Sequence, residues 1–355
     1  MEMRQIDSQD MFSILQDFPR QVKEAVTIGK NAPNFHEKPV SSHFVIAGMG
    51  GSAIGGDLLR SYAAATNGAD HLNIVVNRTY HLPGNNDENT NIILSSYSGG
   101  TEETLSAGRE AIAKTSRIIS ITSGGELAAV ASKYGFPAIT IPGGLQPRCA
   151  IGYSFFPMLY ILIKSGAFKH EAIEESELAI SELIELLEEK SVLYADLNST
   201  ANPAIQLAEA IFGTVPVIYS AGERLDVVNL RWRGQFQENA KNFAFGNFLP
   251  EMNHNEVNSW ANPPEMANKF SIIFLLDHDD HERVRIRFSA LEKLLQNRSA
   301  KILSYQSNAK TLLARIFDLI YLGDWASYYL SLLNGVDPTP IPFINELKEI
   351  LSKSY

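Results

Sequence analysis

Five short apolar runs occupy the first third of the chain: HFVIAG, LNIVV, NIILSS, RIISIT and PAITIPGG. Most are separated by stretches of helical composition, such as SAIGGDLLRSYAAAT, TEETLSAGREAIAK and GELAAVASKYG. No other feature restricts the fold as strongly. Short, buried strands alternating with helices predict a parallel sheet covered on both faces. The same order restarts after residue 203, where VPVIYSAG, NFAFG, FSIIFLLD and AKILSYQ are strand candidates. The fold class expected is therefore α/β, with two doubly wound parallel-sheet domains in tandem, which 355 residues can hold.

Between the two halves lies EAIEESELAISELIELLEEK, residues 171–190. Its spacing suits a helix with an acidic solvated face and an apolar face of Ile173, Leu178, Ile180, Leu183, Leu186 and Leu187. NSTANP, Asn198 to Pro203, is the best linker candidate. The expected division is 1–168 for an N-terminal helix plus the first domain, 169–202 for a linker helix, and 203–355 for the second domain. A C-terminal helix, IFDLIYLGDWASYYLSLLNGV, runs into DPTPIP, and INELKEILSK closes the chain.

Composition narrows the partners. Net charge is −10, which disfavours broad attraction to nucleic acid. One cysteine, Cys149, excludes internal disulfides and cysteine-based zinc sites and suits a reducing cytosol. No apolar run approaches the ~18 residues of a membrane span, and the N-terminus lacks a signal-peptide core. A cytoplasmic protein with no membrane or nucleic-acid partner is expected.

Two polar loops stand at strand-to-helix turns. The first, AGMGGSAIGGDLL from Ala47, resembles a dinucleotide fingerprint with Gly48, Gly50 and Ala53 at its small positions. That fingerprint wants an acidic residue at the end of the second strand, where this chain has Val76, Asn77 and Arg78. The second loop is SSYSGGT, Ser95 to Thr101. Ligands of open parallel sheets bind beyond the carboxyl ends of the strands. Both loops belong at that edge, and together they offer Gly51, Ser52, Ser96, Ser98, Thr101 and two helix N-termini. Hydroxyls and free N–H groups at a helix start match a dianionic phosphate monoester. The plainer account has Ser98 or Thr101 capping the helix, but a cap needs one such residue and the loop supplies several.

GMGGS followed by SYSGGTEET resembles the sugar isomerase (SIS) domain, a phosphosugar-binding α/β module. In the second half, RWRGQFQENAKNFAF and LPEMNHNE resemble the bifunctional phosphoglucose/phosphomannose isomerase family, whose members carry two SIS domains in one chain. The likeness spans nearly the whole chain, including Pro147-Arg148 and the terminal DPTP…LK. It implies flavodoxin-like αβα layers, a small sugar-phosphate substrate, a homodimer, and an aldose–ketose isomerisation that needs no metal or cofactor. Such a reaction needs a carboxylate base over two adjacent carbons, an acid/base at the ring oxygen, and a cation for the enediolate.

By that resemblance Glu238 is the base, His254 the ring-opening group, Arg148 the cation, and Lys348 a further active-site residue. From the residues alone, Glu238 in VVNLRWRGQFQENAK is equally a helix-surface partner of Lys241 at i+3, and Lys348 an ordinary helix-surface lysine. His254 in PEMNHNE has no apolar face to satisfy and can titrate near neutrality. Arg148, at the apparent start of the helix CAIGYSFFPMLYILIK, opposes the macrodipole, which points to another duty; the plainer account is an exposed arginine that stops short of the helix. Relatives that accept mannose 6-phosphate can carry threonine seven residues before the terminal lysine. Here Ile341 stands there, with Thr339 two residues earlier, a departure that bears on mannose and not on glucose. LDHDDHE, Leu276 to Glu282, lacks the spacing of a helical metal motif and is expected to be a solvated turn. Rival readings are a non-catalytic phosphosugar sensor, for which no DNA-binding segment is evident, and an isomerase of another sugar phosphate.

Overall fold

In the computed structural model, residues 5–34 and 41–353 are described. The chain opens with α1 (Met11–Gln16) and α2 (Phe18–Lys30). One amphipathic helix is expected here; the break falls at Asp17, with Pro19 in the first turn of α2, where a missing N–H costs nothing. Then follow β1 (His43–Ala47), α3 (Gly50–Ala65), β2 (Asn73–Asn77), β3 (Asn91–Ser95), α4 (Glu102–Lys114), β4 (Ile118–Thr122), α5 (Gly125–Tyr134), β5 (Ala138–Thr140), α6 (Ile151–Lys164) and α7 (His170–Ala195). The second series is α8 (Pro203–Ile211), β6 (Val215–Ala221), α9 (Asp226–Glu238), β7 (Phe245–Leu249), β8 (Phe270–Leu276), α10 (Glu282–Leu295), β9 (Lys301–Gln306), α11 (Leu312–Leu333) and α12 (Pro342–Ser352).

The chain falls into two compact units that are not sequential. One comprises Asp17–Ser191 and Asn308–Asp318 and is called the cup unit here; the other, the helical-tail unit, comprises Met1–Gln16, Val192–Ser307 and Leu319–Tyr355. The cup unit holds a five-stranded, all-parallel sheet in the order β2-β1-β3-β4-β5. The strand order reverses between β1 and β3, so a crevice opens beyond their carboxyl ends. Every residue of β3 and β4 is buried, which is why NIILS and IISIT carry no alternation. Helix α6 is buried along Ile151 to Leu162 between α2 and α3, and Phe156 stacks on Phe317 while Phe155 meets the same ring at a tilt.

The helical-tail unit repeats the arrangement with four parallel strands, β7-β6-β8-β9. Strand alternation sorts its two faces. Val217, Tyr219, Leu249 and Phe274 pack with Phe288 and Leu291 of α10 on one face. Phe248 points to the other, beneath Arg233 of α9. Trp232 of α9 donates its ring N–H to Leu319 O, and Arg231 pairs with Asp324 of α11 at 2.7 Å, both ions buried. Phe12 of α1 packs edge-on against Trp325, with ring centroids 5.1 Å apart.

Three local expectations need correction. The strand expected at NFAFG lies three residues later, at Phe245–Leu249, because Asn242 is spent on turn carbonyls. Leu178 of α7 is exposed, and the smaller Ala172, Ser176 and Ala179 take the inward positions. The helix of VVNLRWRGQFQENAK ends at Glu238; Lys241 lies outside it in the left-handed region, with φ 51°. No described helix is long and apolar enough to cross a membrane.

Candidate active-site elements

Both polar loops stand at the carboxyl edge of the cup unit's sheet, after β1 and β3. They are tied together by the Tyr97 N–H, which donates to Ser52 Oγ at 3.3 Å. Ser52 and Ser96 are buried, Thr101 is half-buried, and Ser98 is exposed at the rim. The Ser96 and Thr101 hydroxyls lie 2.8 Å apart, Gly99 N–H donates to Ser96 Oγ, and Gly100 N–H donates to Ser98 Oγ. Gly99 has φ +71°, and a Cβ there would stand 1.9 Å from Gly124 O, so only glycine makes this turn.

Thr101 occupies the N-cap position of α4, yet its side chain makes no capping hydrogen bond. Its hydroxyl is turned to Ser96 instead. The capping account of this residue is therefore not how the loop is built. A helix start without a side-chain cap, facing clustered hydroxyls, is a receptive environment for a compact anion.

Arg148 is corrected in placement. It belongs to a single 3₁₀ turn, Pro147–Cys149, that precedes α6, so it does not sit in that helix's first turn. It is also 4 % exposed, not solvated. The turn is pressed against the first loop: a Cβ on Gly51 would stand 2.7 Å from Pro147 O. Gly51, Ser52, Ser96, Thr101 and the Arg148 turn thus share one sheet edge, with Ser98 at its margin.

Two contributors were not singled out from sequence. Tyr97 was legible only as one more hydroxyl in SSYSGGT. Its OH accepts from Leu145 N–H at 3.0 Å, and its carbonyl accepts from Ser123 N–H at 3.0 Å and Ser123 Oγ–H at 2.7 Å. Ser123 directly follows β4 in a third small polar stretch, TSGG (Thr122 to Gly125), at the same edge; glycines after a strand were its available signal.

The remaining candidates lie in the helical-tail unit. Glu238 is half-buried at the last position of α9. That helix starts at the carboxyl edge of its sheet and ends at the amino edge, where Gln237 Nε2 donates to Ala244 O and Asn242 Nδ2 to Thr214 O. Those carbonyls immediately precede β7 and β6. His254 is exposed in a 3₁₀ turn, Glu251–His254, that follows the carboxyl end of β7. Its neighbour Met252 packs in the cluster on the α10 face, opposite α9. Within this unit, then, Glu238 and His254 are held apart, at opposite ends and on opposite faces of β7. Lys348 is exposed on α12, which has no buried residue. The segment before α12 is fastened beside Glu238, since Lys241 Nζ donates to Asp337 O and Asn334 Nδ2 to Ala240 O.

The LDHDDHE turn is not the solvated turn expected, since Asp277 and Asp280 are buried, and it organises itself internally. Asp277 Oδ1 accepts from Asp279 N–H, Asp280 Oδ2 from Asp277 N–H, and His281 Nδ1 caps α10 through Arg283 N–H. Burial pushes the Asp280 carboxyl up to about 6.

Comparison with known proteins adds independent findings. A family model described as the bacterial phospho-glucose isomerase C-terminal SIS domain matches residues 200–351. The chain is 39 % identical over 345 residues to a bifunctional phosphoglucose/phosphomannose isomerase from Caldicellulosiruptor bescii, covering 97 % of this chain and 99 % of that protein. A protein of the same description from Thermoplasma acidophilum is 37 % identical, over 88 % of this chain and 90 % of the other. Among solved structures, tagatose-6-phosphate ketose/aldose isomerase from Escherichia coli aligns with a TM-score of 0.66 at 14 % identity, over 92 % of this chain and 93 % of that one. That last likeness concerns the fold alone.

Proposed function

Because the chain belongs to the bifunctional phosphoglucose/phosphomannose isomerase family, we propose that it interconverts glucose 6-phosphate and fructose 6-phosphate, with mannose 6-phosphate as a further aldose. The observation that carries this reading is the cup: Thr101 stands at a helix N-cap with its hydroxyl directed to Ser96 rather than to capping. Gly51, Ser52, Ser96, Ser98 and Thr101 hold the phosphate dianion through hydroxyls and backbone N–H groups. Anchoring the far end of the sugar orients the reacting carbons and lowers the entropic part of the barrier.

His254 opens the ring by moving a proton between the ring oxygen and the O1 hydroxyl. Glu238 then takes the proton from carbon two of the open aldose and returns it to carbon one, while a proton passes between the two oxygens. The negative charge of the enediolate is met by Arg148, with Lys348 as a second cation. Atoms balance without a cofactor, since the net change is a proton shift within one molecule.

A homodimer is part of the reading. Glu238 and His254 are separated within the helical-tail unit, which favours a site that takes its ring-opening histidine from a second copy. Ile341, in place of the threonine found in relatives that accept mannose, makes mannose 6-phosphate the poorer aldose.

The test is solvent deuterium exchange. Wild type should wash label into carbon one or carbon two of the product. Glu238→Gln, nearly isosteric but unable to act as base, should lose about 10²–10⁴-fold in turnover and exchange while still binding fructose 6-phosphate. Near-normal exchange in that variant would leave Glu238 a structural helix-end residue and remove the mechanism.

A further inference from the structure

Tyr97 is hydrogen-bonded to three neighbouring loops at the edge where the cup stands. Through its N–H it reaches Ser52 in the loop after β1. Through its carbonyl it receives Ser123, in the loop after β4. Its side-chain OH receives Leu145 N–H, in the loop after β5. Since Tyr97 itself follows β3, one residue joins the loops of four adjacent strands at a single edge. The first two links use the backbone and any residue could make them. Only the third depends on the tyrosine hydroxyl. It falls three residues before Arg148, on the stretch that delivers that cation to the edge.

Burial raises the pKa of the Tyr97 phenol, so it stays neutral across the physiological range and its oxygen remains an acceptor for an amide. Gly144, next to Leu145, has φ +90°, so the stretch bends sharply just where the tyrosine holds it. On its other side the Arg148 turn rests against Gly51. The turn therefore has a fixed wall on one side and the Tyr97 hydroxyl on the other.

We propose that Tyr97 is a positioning residue: its hydroxyl fixes the 143–148 stretch to the phosphate loop, so that a phosphate seated in the cup finds Arg148 placed over the reacting carbons. This rests on the isomerase reading and extends it, because Tyr97 touches neither the phosphate nor the carbons in this scheme. It acts through Arg148, and its loss should therefore appear in turnover rather than in binding.

The experiment compares wild type, Tyr97→Phe, Arg148→Ala and the double variant in steady-state isomerisation of fructose 6-phosphate, with inorganic phosphate as a competitive probe of the cup. Phe keeps the ring and removes only the oxygen. Tyr97→Phe should lower kcat about three- to ten-fold, the scale of one neutral hydrogen bond. KM and the inhibition constant of phosphate should stay within about two-fold. In the Arg148→Ala background the same change should cost less than about two-fold further, because the group it positions is already gone. Thermal denaturation of each variant separates this pattern from a loss of folded protein. Unchanged kcat in Tyr97→Phe overturns the proposal, as does a rise in KM and the phosphate constant at constant kcat. Losses that multiply across the double variant overturn it too, since Tyr97 would then act independently of Arg148. An Arg148→Ala protein with wild-type turnover would remove the role of that arginine, and that of Tyr97 with it. A wild type that turns over no sugar phosphate would instead remove the isomerase reading itself.

Discussion

Mixing two inactive variants, Glu238→Gln and His254→Ala, should restore activity. The reason is the length and sidedness of β7. Glu238 ends α9 at the amino edge of the sheet, beside Ala244, and His254 follows the carboxyl end of the same strand. Five strand residues at about 3.3 Å each put roughly 16 Å between those two ends. The face adds to the gap, because Phe248 lies under α9 while Leu249 and Met252 pack toward α10. Neither side chain can cross a sheet, so a site needing both is expected to take them from different copies. In a twofold dimer after random subunit exchange, half of the molecules are mixed, and each of these has one intact site of two, so activity should recover to about a quarter of wild type. Each variant alone should stay below about 1 % of wild type, given the usual size of acid/base contributions. The assay is conversion of fructose 6-phosphate to glucose 6-phosphate, followed by a coupled dehydrogenase, after partial unfolding and refolding of the mixture. Native mass spectrometry with one variant isotopically heavy confirms exchange. A control mixture of Glu238→Gln with the Glu238→Gln/His254→Ala double variant should stay inactive. Full exchange with no recovered activity would refute the two-copy site, and a monomer in sedimentation would do so more directly.

The cup and one buried carboxylate give further tests. Ser98→Ala with Thr101→Ala should raise KM at least ten-fold, since a hydrogen bond to a charged group is worth about 1.5–3 kcal/mol, and circular dichroism should show the fold intact. An unchanged KM would put the phosphate elsewhere. Asp280, whose carboxyl is pushed up to about 6 by burial, binds its proton more tightly folded than unfolded. Its contribution to stability is therefore largest below the unfolded value and is lost as pH rises through about 6. Asp280→Asn should gain about 1–3 kcal/mol over wild type at pH 8 in urea denaturation, the gain shrinking toward pH 4. A gain that is the same at both pH values would show that the buried charge is not its cause.

The architecture was legible because it depends on local patterns. NIILS and IISIT are continuous apolar runs because both faces of a central parallel strand are covered, and that requirement is written residue by residue. The two polar loops were legible for the same reason: glycine and hydroxyl residues directly after a strand mark the carboxyl edge of the sheet. Glu238, His254 and Lys348 were not legible in this way, and their assignment rests on resemblance. A glutamate at a helix end, a histidine in a polar turn and a lysine on an exposed helix have no local signature of their own.

What the sequence by itself determined is the set of strands, the helices between them, and which loops lie at the carboxyl edge of the sheet, since each follows from near-neighbour periodicity. Only the tertiary structure decided the rest. It buried Arg148 in a 3₁₀ turn ahead of its helix, turned Leu178 outward, and ended α9 at Glu238 with Lys241 drawn off to backbone carbonyls. It turned Thr101 away from its cap toward Ser96, and it ran Tyr97 across to Leu145, 48 positions away. Contacts at such separations depend on how strands order themselves side by side, and the pairing of β1 with β3 and β4 with β5 places residues together that no local pattern relates.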